Sequence, residues 1–509
     1  MLTTSYGAGI IGIDGFIVTV ECQCTKALPS FEIVGLPDAA VKESEQRVQT
    51  AIVNTGIAGG DLSIKINLAP ADMKKEGSAL DLAIAVSILK GKKVIPEAVR
   101  LDNKLFIGEL SFTGEVRPVR GVLSMTLAAR EAGINEIYVP ERNAAEASVV
   151  EGIDVYPAKS LASLLAHLCG RKSIEKMPAA DFSAGIVPVG APDFSDVKGQ
   201  ARVKRALEIA AAGGHNVLLI GPPGSGKSML AKRIPSILPP MTFSEAVETT
   251  KIHSAAGLLK SGESLVSTRP FRSPHHTMSA VSLVGGGRIP GAGEVSLAHN
   301  GVLFLDELPE FPKNVTESLR QPMEDSKVTI TRAAGRITFP SDFMLVAAMN
   351  PCKCGYYGSR AKECTCKEGD IKRYLSRISG PLLDRMDIQV EVPALSFDEL
   401  SGREAAEPSE AIRERVTKAR RLAQNRFKED NISCNAAMTS KEIRKYCKTD
   451  EKALSVLKKA FEVMGMSARG YDRVLRVART IADLDESEEI TTVHVAEAVQ
   501  LRTLDKKYF

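Results

Sequence analysis

Residues 221–228 read Gly221-Pro-Pro-Gly-Ser-Gly-Lys-Ser228. Their spacing, G-x-x-x-x-G-K-[ST], is that of a P-loop (Walker A motif), whose backbone N–H groups cradle nucleotide phosphates. The apolar run Val217–Ile220 predicts a buried strand before the loop, and the segment after Ser228 predicts a helix. Bound phosphate would therefore lie at a helix N-terminus. The motif predicts a nucleotide, which the further motifs narrow to ATP, as the ligand of eight residues: Gly221, Pro222, Pro223, Gly224, Ser225, Gly226, Lys227 and Ser228.

A second motif, of Walker B form, predicts the magnesium ligand and the hydrolytic base. Val302–Leu305 is an apolar run typical of a strand inside a sheet, and Asp306 and Glu307 follow it. Acidic residues at that end of a parallel strand face the crevice where ligands bind. We expect Ser228 and Asp306 to hold Mg²⁺, while Lys227 reaches the β- and γ-phosphates. Glu307 would orient and deprotonate the attacking water.

Two polar residues further along the chain are candidates for the same site. The apolar run Phe343–Met349 predicts another buried strand, and Asn350 at its end could position the water. The alternative is that Asn350 only begins a turn with Pro351. On spacing alone, Arg385 is a surface ion-pair residue. An arginine at a subunit boundary can, however, neutralise charge on a neighbour's γ-phosphate.

The bulk composition predicts a globular chain of several domains. The 509 residues are 44% hydrophobic and 25% charged, and the net charge of +4 is too small to indicate nucleic-acid binding by itself. No apolar run of about 18 residues and no basic signal-peptide start occurs, so we expect no membrane partner and a cytoplasmic location. Nine cysteines in that compartment predict reduced thiols or metal ligands rather than disulfides.

The order of apolar runs predicts an α/β protein with four parts. Residues 1–170 mix strands and helices, with Ile10–Val20 as one strand, and residues 171–192 carry several prolines, as a linker would. Residues 193–396 alternate apolar runs with helical patterns, which is the order expected of a parallel sheet. Residues 397–509 form the last part, and from about residue 408 to the end their pattern is almost purely helical. We therefore predict a P-loop sheet domain followed by a helical lid.

Four cysteines follow Asn350 and Pro351 as two C-x-C pairs. Four thiols this close in sequence can form a tetrahedral Zn²⁺ site. The pairs are tighter than the usual C-x₂-C spacing, so plain reduced thiols or a redox-sensitive pair stay open as alternatives. The candidate ligands of this structural zinc site are Cys352, Cys354, Cys364 and Cys366. The separate pair Cys22 and Cys24 is predicted to lie inside a strand.

The stretch Lys327–Phe339 predicts a β-hairpin with a basic tip. Its residues alternate with period 2 around Ala-Ala-Gly, next to Arg332 and Arg336. These arginines could contact DNA phosphates, and the alternative is a solvated charged hairpin. The chain between the P-loop and Asp306 is longer than two βα crossovers of about 30 residues each. This length predicts an insertion, for which the glycine-rich Leu283–Gly293 is a candidate.

Together these motifs resemble an AAA+ ATPase of the helicase clade, which includes the Mg-chelatase motor subunit and the MCM proteins. More narrowly, they resemble the YifB/ComM family of Mg-chelatase-like ATPases over essentially the whole chain. The resemblance rests also on Phe271-Arg-Ser-Pro-His-His276, Ser296-Leu-Ala-His-Asn-Gly301, Arg377-Ile-Ser-Gly-Pro-Leu-Leu-Asp-Arg385 and Ser467-Ala-Arg-Gly-Tyr-Asp-Arg473. For His275 and His276 we favour a structural or nucleotide-proximal role over metal binding.

The resemblance also implies roles for single residues and an assembly. Asn350 would be sensor 1, Arg385 the arginine finger and Arg469 sensor 2. Arg377 and Arg473 are second choices for the last two roles. AAA+ rings are usually hexamers with ATP sites between subunits, so a homo-hexamer is implied. In the helicase clade a hairpin before sensor 1 lines the central pore, which would place the basic hairpin there.

The N-terminal part resembles the proteolytic domain of Lon, which has the ribosomal-protein-S5-like α/β fold and a Ser–Lys dyad. The resemblance rests on residues Lys75–Ala83 and Phe106–Leu123. It places Ala79 at the nucleophile position and Leu123 at the lysine position, and neither can do that chemistry. We therefore predict no peptidase activity, although Ser78 is one position away. The domain is expected to be a ring-stabilising or DNA-contacting collar, as the similar domain of RadA suggests.

For function, the resemblance implies a ring-shaped ATPase that translocates on single-stranded or branched DNA. The family points to branch migration or helicase activity in homologous recombination and natural transformation (competence). One alternative is a chelatase-type remodeller that drives metal insertion into a tetrapyrrole, and another is an ATP-driven protein remodeller. The chain has its own Lon-like domain and basic hairpin and lacks an integrin-like domain with Asp-x-Ser-x-Ser, which favours the DNA motor.

Overall fold

The structure is a computed structural model that describes residues 2–57, 62–182, 192–287, 290–332, 335–359, 362–395, 406–430, 432–504 and 508. The chain forms two compact units. The N-terminal unit comprises Met1–Ser183 with Phe243–Val266, and the P-loop unit comprises Ala184–Thr242 with Ser267–Phe509. Both units are mixed α/β, which confirms the predicted fold class. The predicted boundary at 396–397 and residues 183–191 of the predicted linker lie outside the described residues.

A seven-stranded sheet lies at the centre of the N-terminal unit. The strands of this unit are β1 (Leu2–Ile11), β2 (Asp14–Lys26), β3 (Ser30–Val34), β4 (Leu62–Ala69), β5 (Lys104–Phe106), β6 (Glu109–Leu110), β7 (Val116–Arg117), β8 (Glu136–Pro140) and β9 (Asp154–Ala158). The sheet has the order β3-β4-β2-β1-β5-β8-β9, and β6 pairs with β7 separately. Strand β2 is antiparallel to β1 and β4, and the other neighbours are parallel.

Helices cover this sheet. They are α1 (Ala39–Lys42), α2 (Ser44–Asn54), α3 (Asp81–Gly91), α4 (Val122–Glu131), α5 (Ala144–Ala147), α6 (Leu161–Leu168) and α10 (Phe243–Ala255). Helix α3 is buried at every position from Asp81 to Leu89, which explains its nearly continuous apolar sequence. Cys22 and Cys24 are buried in β2, as predicted, with their Sγ atoms 3.7 Å apart.

The prediction of a single strand over Ile10–Val20 is wrong, because the chain turns within it. Strand β1 ends at Ile11 and β2 begins at Asp14, and these two residues are partners in an antiparallel pair. Gly12 in the two-residue turn has a φ of 65°, a conformation that glycine adopts without a Cβ clash. Apolar residues on both sides of the turn conceal it in the sequence pattern.

The segment Phe243–Val266 folds with the N-terminal unit, although in sequence it lies between the P-loop and the Walker B strand. Ser254 in α10 anchors it. Its hydroxyl donates to Glu146 Oε2 at 2.6 Å and accepts from the Gly121 N–H at 3.1 Å. Burial raises the pKa of the Glu146 carboxyl. The sequence predicts that this segment belongs to the P-loop domain, residues 193–396. Its periodicity indicates a helix but not the surface that the helix covers.

A parallel five-stranded sheet forms the centre of the P-loop unit. The strands of this unit are β10 (Val217–Ile220), β11 (Phe271–Arg272), β12 (Gly285–Gly286), β13 (Gly291–Ala292), β14 (Gly301–Leu305), β15 (Lys327–Arg332), β16 (Gly335–Pro340), β17 (Phe343–Met349) and β18 (Ile388–Glu391). The sheet has the order β11-β14-β17-β10-β18, with all neighbours parallel. Because β17 lies between β10 and β14, the residues that follow these three strands meet at one edge.

The helices of the P-loop unit become dense towards the C-terminus. They are α7 (Ala201–Gly213), α8 (Lys227–Ala231), α9 (Ile234–Ile237), α11 (Ala280–Val284), α12 (Glu294–Leu297), α13 (Lys313–Ser318), α14 (Arg320–Asp325), α15 (Glu368–Leu375), α16 (Gly380–Leu383), α17 (Ser409–Arg426), α18 (Ser440–Tyr446), α19 (Glu451–Met464), α20 (Ala468–Leu484) and α21 (Thr492–Gln500). The predicted helical character after residue 408 is confirmed. Among the described helices, none has both the length and the apolar character to cross a membrane.

Candidate nucleotide-binding site

The P-loop joins β10 to helix α8, as the sequence predicts. Gly224 and Gly226 have φ angles of 75° and 87°, which glycine adopts without strain. At Gly221 the backbone passes so close to Val392 that a Cβ would lie 2.2 Å from its carbonyl oxygen. The buried hydroxyl of Ser225 has no hydrogen-bond partner among the described residues. The path of the loop therefore depends on its glycines, as expected of a phosphate cradle.

The ammonium group of Lys227 is held inside the loop. Its Nζ donates to the carbonyl oxygens of Gly221 at 2.8 Å and Pro222 at 2.9 Å, and to Asn350 Oδ1 at 3.1 Å. Burial lowers the pKa of Lys227, and the negative charge of Asp306 opposes that effect. A phosphate anion would supply this buried cation with the countercharge that neutral carbonyl groups do not.

The magnesium candidates are in direct contact. Ser228 Oγ donates to Asp306 Oδ2 at 2.6 Å, so the hydroxyl and the carboxylate already face one point. Oxygen ligands of this kind suit Mg²⁺, which binds one or two protein oxygens and completes its shell with phosphate and water. The structure thus brings together the predicted residues of Walker A, Walker B and the strand end at Asn350.

The predicted base, Glu307, has a partner, and the sequence did not predict their contact. His276 Nδ1 lies 3.5 Å from Glu307 Oε2. Strand β11 lies beside the Walker B strand, and the chain after β11 carries His276 to the same edge of the sheet. The adjacent histidines His275 and His276 were the sequence signal for this contact, because a nucleotide-proximal role was one of the two expected for them. Their contact depends on strand order, which the sequence did not specify.

Arg385 lies in a cluster of positive charge. It pairs with Glu324, and its buried Nε has no hydrogen-bond partner among the described residues. Burial lowers the pKa of the Arg385 guanidinium, and the charges of Arg320 and Arg469 lower it further. The charge of the predicted sensor 2, Arg469, therefore acts on the predicted finger, and so does that of Arg320, which the sequence did not single out.

The second-choice arginines occupy ordinary ion pairs. Arg377 pairs with Glu310 at 2.9 Å, just after the Walker B residues. Arg473 is buried, with nitrogens 3.8 Å from Asp384 and 3.6 Å from Asp387. Because Arg473 has two carboxylate partners within its own chain, its environment is that of a structural residue, whereas Arg469 is exposed.

The predicted basic hairpin is present. Strands β15 and β16 pair antiparallel from Lys327 opposite Pro340 to Arg332 opposite Gly335, and residues 333–334 at the tip lie outside the described residues. Arg332 and Arg336 are both exposed. The glycine-rich segment contacts the hairpin, since a Cβ on Gly285 would lie 3.1 Å from Ile330 Cδ1. The predicted insertion and the hairpin therefore form one surface. Arg288, within the predicted insertion, lies outside the described residues.

The four cysteines after Asn350 converge in space. Cys352 Sγ lies 3.4 Å from Cys354 Sγ and 3.7 Å from Cys364 Sγ, and the last two sulfurs are 3.6 Å apart. With Cys366, all four sulfurs lie within 4.8 Å of one another. A disulfide needs about 2.05 Å, so these are four separate thiols. They form a set of soft donors that could hold a metal ion.

The residues of the Lon-like segment do not form a Ser–Lys pair at the aligned positions. Ala79 and Leu123 are buried apolar side chains. The neighbouring Ser78 donates its hydroxyl hydrogen bond to the Glu109 carboxylate. A lysine ammonium or a histidine would be the usual activating partner of a serine nucleophile, and the contact with Glu109 supplies neither.

A P-loop followed by an acidic pair, at one edge of a parallel five-stranded sheet, defines a P-loop ATPase of the AAA+ class. Family models support this class along the chain. The descriptions "Subunit ChlI of Mg-chelatase", "Magnesium chelatase, subunit ChlI" and "Magnesium chelatase, subunit ChlI C-terminal" match residues 20–143, 193–400 and 406–502, respectively.

Comparison with individual proteins makes the family assignment more specific. The chain is 42% identical to the uncharacterized protein YifB of Escherichia coli over 97% of its own length and 96% of that protein. It is 42% identical to the competence protein ComM of Haemophilus influenzae over 99% of its length and 98% of that protein. Lon protease 2 of Bacillus subtilis is 27% identical over 27% of this chain and 24% of that protein. The chain belongs to the Mg-chelatase-like AAA+ family that includes YifB and ComM.

Proposed function

We propose that this chain is an ATP-driven ring motor that acts on DNA. The single observation that carries the proposal is the exposed basic hairpin, which projects Arg332 and Arg336 from the same unit that contains the P-loop. A full-length relative is named a competence protein, which supports a task on DNA such as branch migration or helicase activity during recombination or transformation. The motor would work as a cytoplasmic homo-hexamer.

The hydrolytic step follows from the geometry of the site. Lys227 would exchange its carbonyl partners for phosphate oxygens, and Ser228 with Asp306 would hold Mg²⁺. Glu307 would take the proton of the attacking water, while Asn350 would hold that water in line. This step needs no covalent intermediate, since phosphoryl transfer to water depends mainly on positioning and charge stabilisation.

The hairpin is suited to transmit that step to a polymer. Its two antiparallel strands pair along six residues each, so Arg332 and Arg336 lie on paired strands rather than in an irregular loop. Strand β16 leads within three residues into β17, and Asn350, the residue directly after β17, accepts a hydrogen bond from Lys227. A shift of β17 on nucleotide exchange would therefore move the hairpin, and phosphate contacts at its tip would follow.

A chelatase-type remodeller is the second candidate. The observation that favours it is the match of three family models named for a magnesium chelatase subunit to successive parts of the chain. In that case the hairpin would contact a protein partner, and DNA would not change the ATPase rate.

We expect single-stranded or branched DNA to stimulate ATP hydrolysis, and we expect the double variant Arg332→Ala/Arg336→Ala to lose the stimulation. If an arginine contacts a DNA phosphate, its replacement by alanine should reduce the slope of log Kd against log salt concentration by about 0.7 to 0.9. The measurements are ATPase rate with and without DNA, and DNA binding at several salt concentrations.

The matched control for this experiment is Lys327→Ala. Lys327 is an exposed cation at the open end of the same hairpin, opposite Pro340. It should change DNA binding far less, because it lies away from the tip. Absence of stimulation by any DNA, together with unchanged DNA binding in the double arginine variant, would argue for the remodeller instead.

We also expect the chain to degrade no protein. Purified chain with ATP should leave casein intact over hours, since Ala79 and Leu123 replace the expected dyad. The measurement is release of labelled casein peptides, with an active Lon protease as the positive control. ATP-dependent cleavage that disappears in Ser78→Ala would show that Ser78 has taken over the nucleophile's role and would overturn this prediction.

A further inference from the structure

We propose that Cys352, Cys354, Cys364 and Cys366 bind one structural zinc ion, and that this zinc loop braces the P-loop. The name zinc loop is used for residues 352–366, of which 360 and 361 lie outside the described residues. The coupling to ATP rests on the proposed ATPase function, whereas the metal site stands on its own geometry. Zinc would act here as a cross-link and not as a catalyst, because all four ligands come from the protein.

The geometry of the sulfurs fits zinc. Four sulfurs at about 2.3 Å from a central ion stand about 3.8 Å from one another in a tetrahedron. The three distances among Cys352, Cys354 and Cys364 are 3.4 to 3.7 Å, and all four sulfurs lie within 4.8 Å. Four neutral thiols gain little from such close packing, since a thiol is a weak donor and a weak acceptor. A divalent ion explains why two separate C-x-C pairs meet.

The backbone around the sulfurs has the features of an outer shell. The Tyr357 N–H points to Cys352 Sγ at 3.4 Å, and donation of this kind offsets the negative charge of metal-bound thiolates. The Gly355 N–H donates to the Cys352 carbonyl at 3.0 Å and closes a tight turn between the ligands. Gly355 has a φ of 87° in this turn, a conformation that glycine tolerates without strain.

The same turn packs against the P-loop. A Cβ on Gly355 would lie 2.4 Å from Pro223 Cδ and 2.7 Å from Pro223 Cγ, so the backbone of the zinc loop lies directly against the P-loop. On its other side the loop begins two residues after Asn350, whose Oδ1 accepts from Lys227. Zinc would therefore fix two neighbours of the phosphate cradle at once. Without the metal, the chain after Asn350 would lose the cross-link that holds it in place.

The metal site is tested on full-length chain purified without chelator. We expect about one zinc ion per chain, and less than half an ion in the double variant Cys364→Ser/Cys366→Ser. The control is Cys169→Ser, which removes a thiol outside the cluster and should retain the zinc. Less than half an equivalent of zinc in the unmodified chain, or iron in its place, would overturn the site.

The contact between the zinc loop and the P-loop is tested with a substitution that leaves all four cysteines in place. Gly355→Ala adds one methyl group against Pro223, and we expect zinc to stay bound while the Kd for ATP rises about ten-fold or more. Gly358→Ala is the matched control, because Gly358 is exposed in the same loop and has a similar φ of 74°. Equal ATP affinity in the two variants would overturn the brace. A zinc-loaded chain that binds no ATP would overturn the ATPase function and the brace together. A chain purified without zinc that still binds ATP would overturn the zinc site and its brace but not the ATPase function.

Discussion

Glu307→Gln should abolish ATP hydrolysis and leave ATP binding intact. The amide keeps the size of the carboxylate but cannot accept the proton of the attacking water, which general base catalysis requires. We expect kcat to fall by about 10²- to 10⁴-fold, the usual contribution of a positioned base. The Kd for ATP should change little, because the P-loop and Lys227 bind the phosphates. Single-turnover hydrolysis and equilibrium ATP binding, measured on the same preparation, separate these two effects.

The matched control for Glu307→Gln is Glu310→Gln. Glu310 lies three residues further along, is exposed, and pairs with Arg377. Loss of its charge should change kcat by no more than a few-fold, since a surface ion pair contributes about 0–1 kcal/mol. A Glu307→Gln chain that retains more than a tenth of the wild-type kcat would contradict the assignment of Glu307 as the base. The variant should also accumulate as an ATP-bound assembly, which sedimentation would detect.

Local spacing was sufficient to predict the centre of the site. The P-loop glycines lie within a few residues of one another, and so do the acidic pair and the strand before it. Their conformations follow from backbone sterics and strand burial. The hairpin with Arg332 and Arg336 was predictable for the same reason, because period-2 alternation around a glycine-containing turn is a local signal. These features required no knowledge of which strands are neighbours.

Contacts between distant segments were not predictable in this way. The bond from Lys227 to Asn350 and the contact of His276 with Glu307 depend on the strand order β11-β14-β17-β10. Many orders are compatible with the same run of apolar segments. The convergence of the cysteines was uncertain for a related reason, because C-x-C spacing fixes two sulfurs at a time but not the distance between the pairs. The surface covered by α10 is a third case, since amphipathicity indicates a buried face but not its partner.

Arg385→Ala should reduce kcat by about 10³- to 10⁵-fold, the usual contribution of an arginine finger, equivalent to about 4–7 kcal/mol of transition-state stabilisation. The guanidinium of Arg385 is partly buried, and this burial, together with the charges of Arg320 and Arg469, lowers its pKa. Approach of a neighbour's γ-phosphate would relieve that repulsion. The Kd for ATP on a single subunit should change little, because its own Lys227 remains. The control is Arg373→Ala, an exposed arginine paired with Asp370, which should leave kcat within two-fold.

Mixing two inactive variants decides whether Arg385 acts on the neighbouring subunit. Arg385→Ala retains Lys227, and Lys227→Ala retains Arg385, so a mixed ring contains some interfaces with both residues intact. With equal amounts and random order, about a quarter of the head-to-tail interfaces combine an intact P-loop with an intact finger. We therefore expect the mixture to recover up to about a quarter of wild-type ATPase activity if interfaces act independently. No recovery after proven subunit exchange would contradict action in trans, because a finger that serves its own subunit can never be complemented by a neighbour.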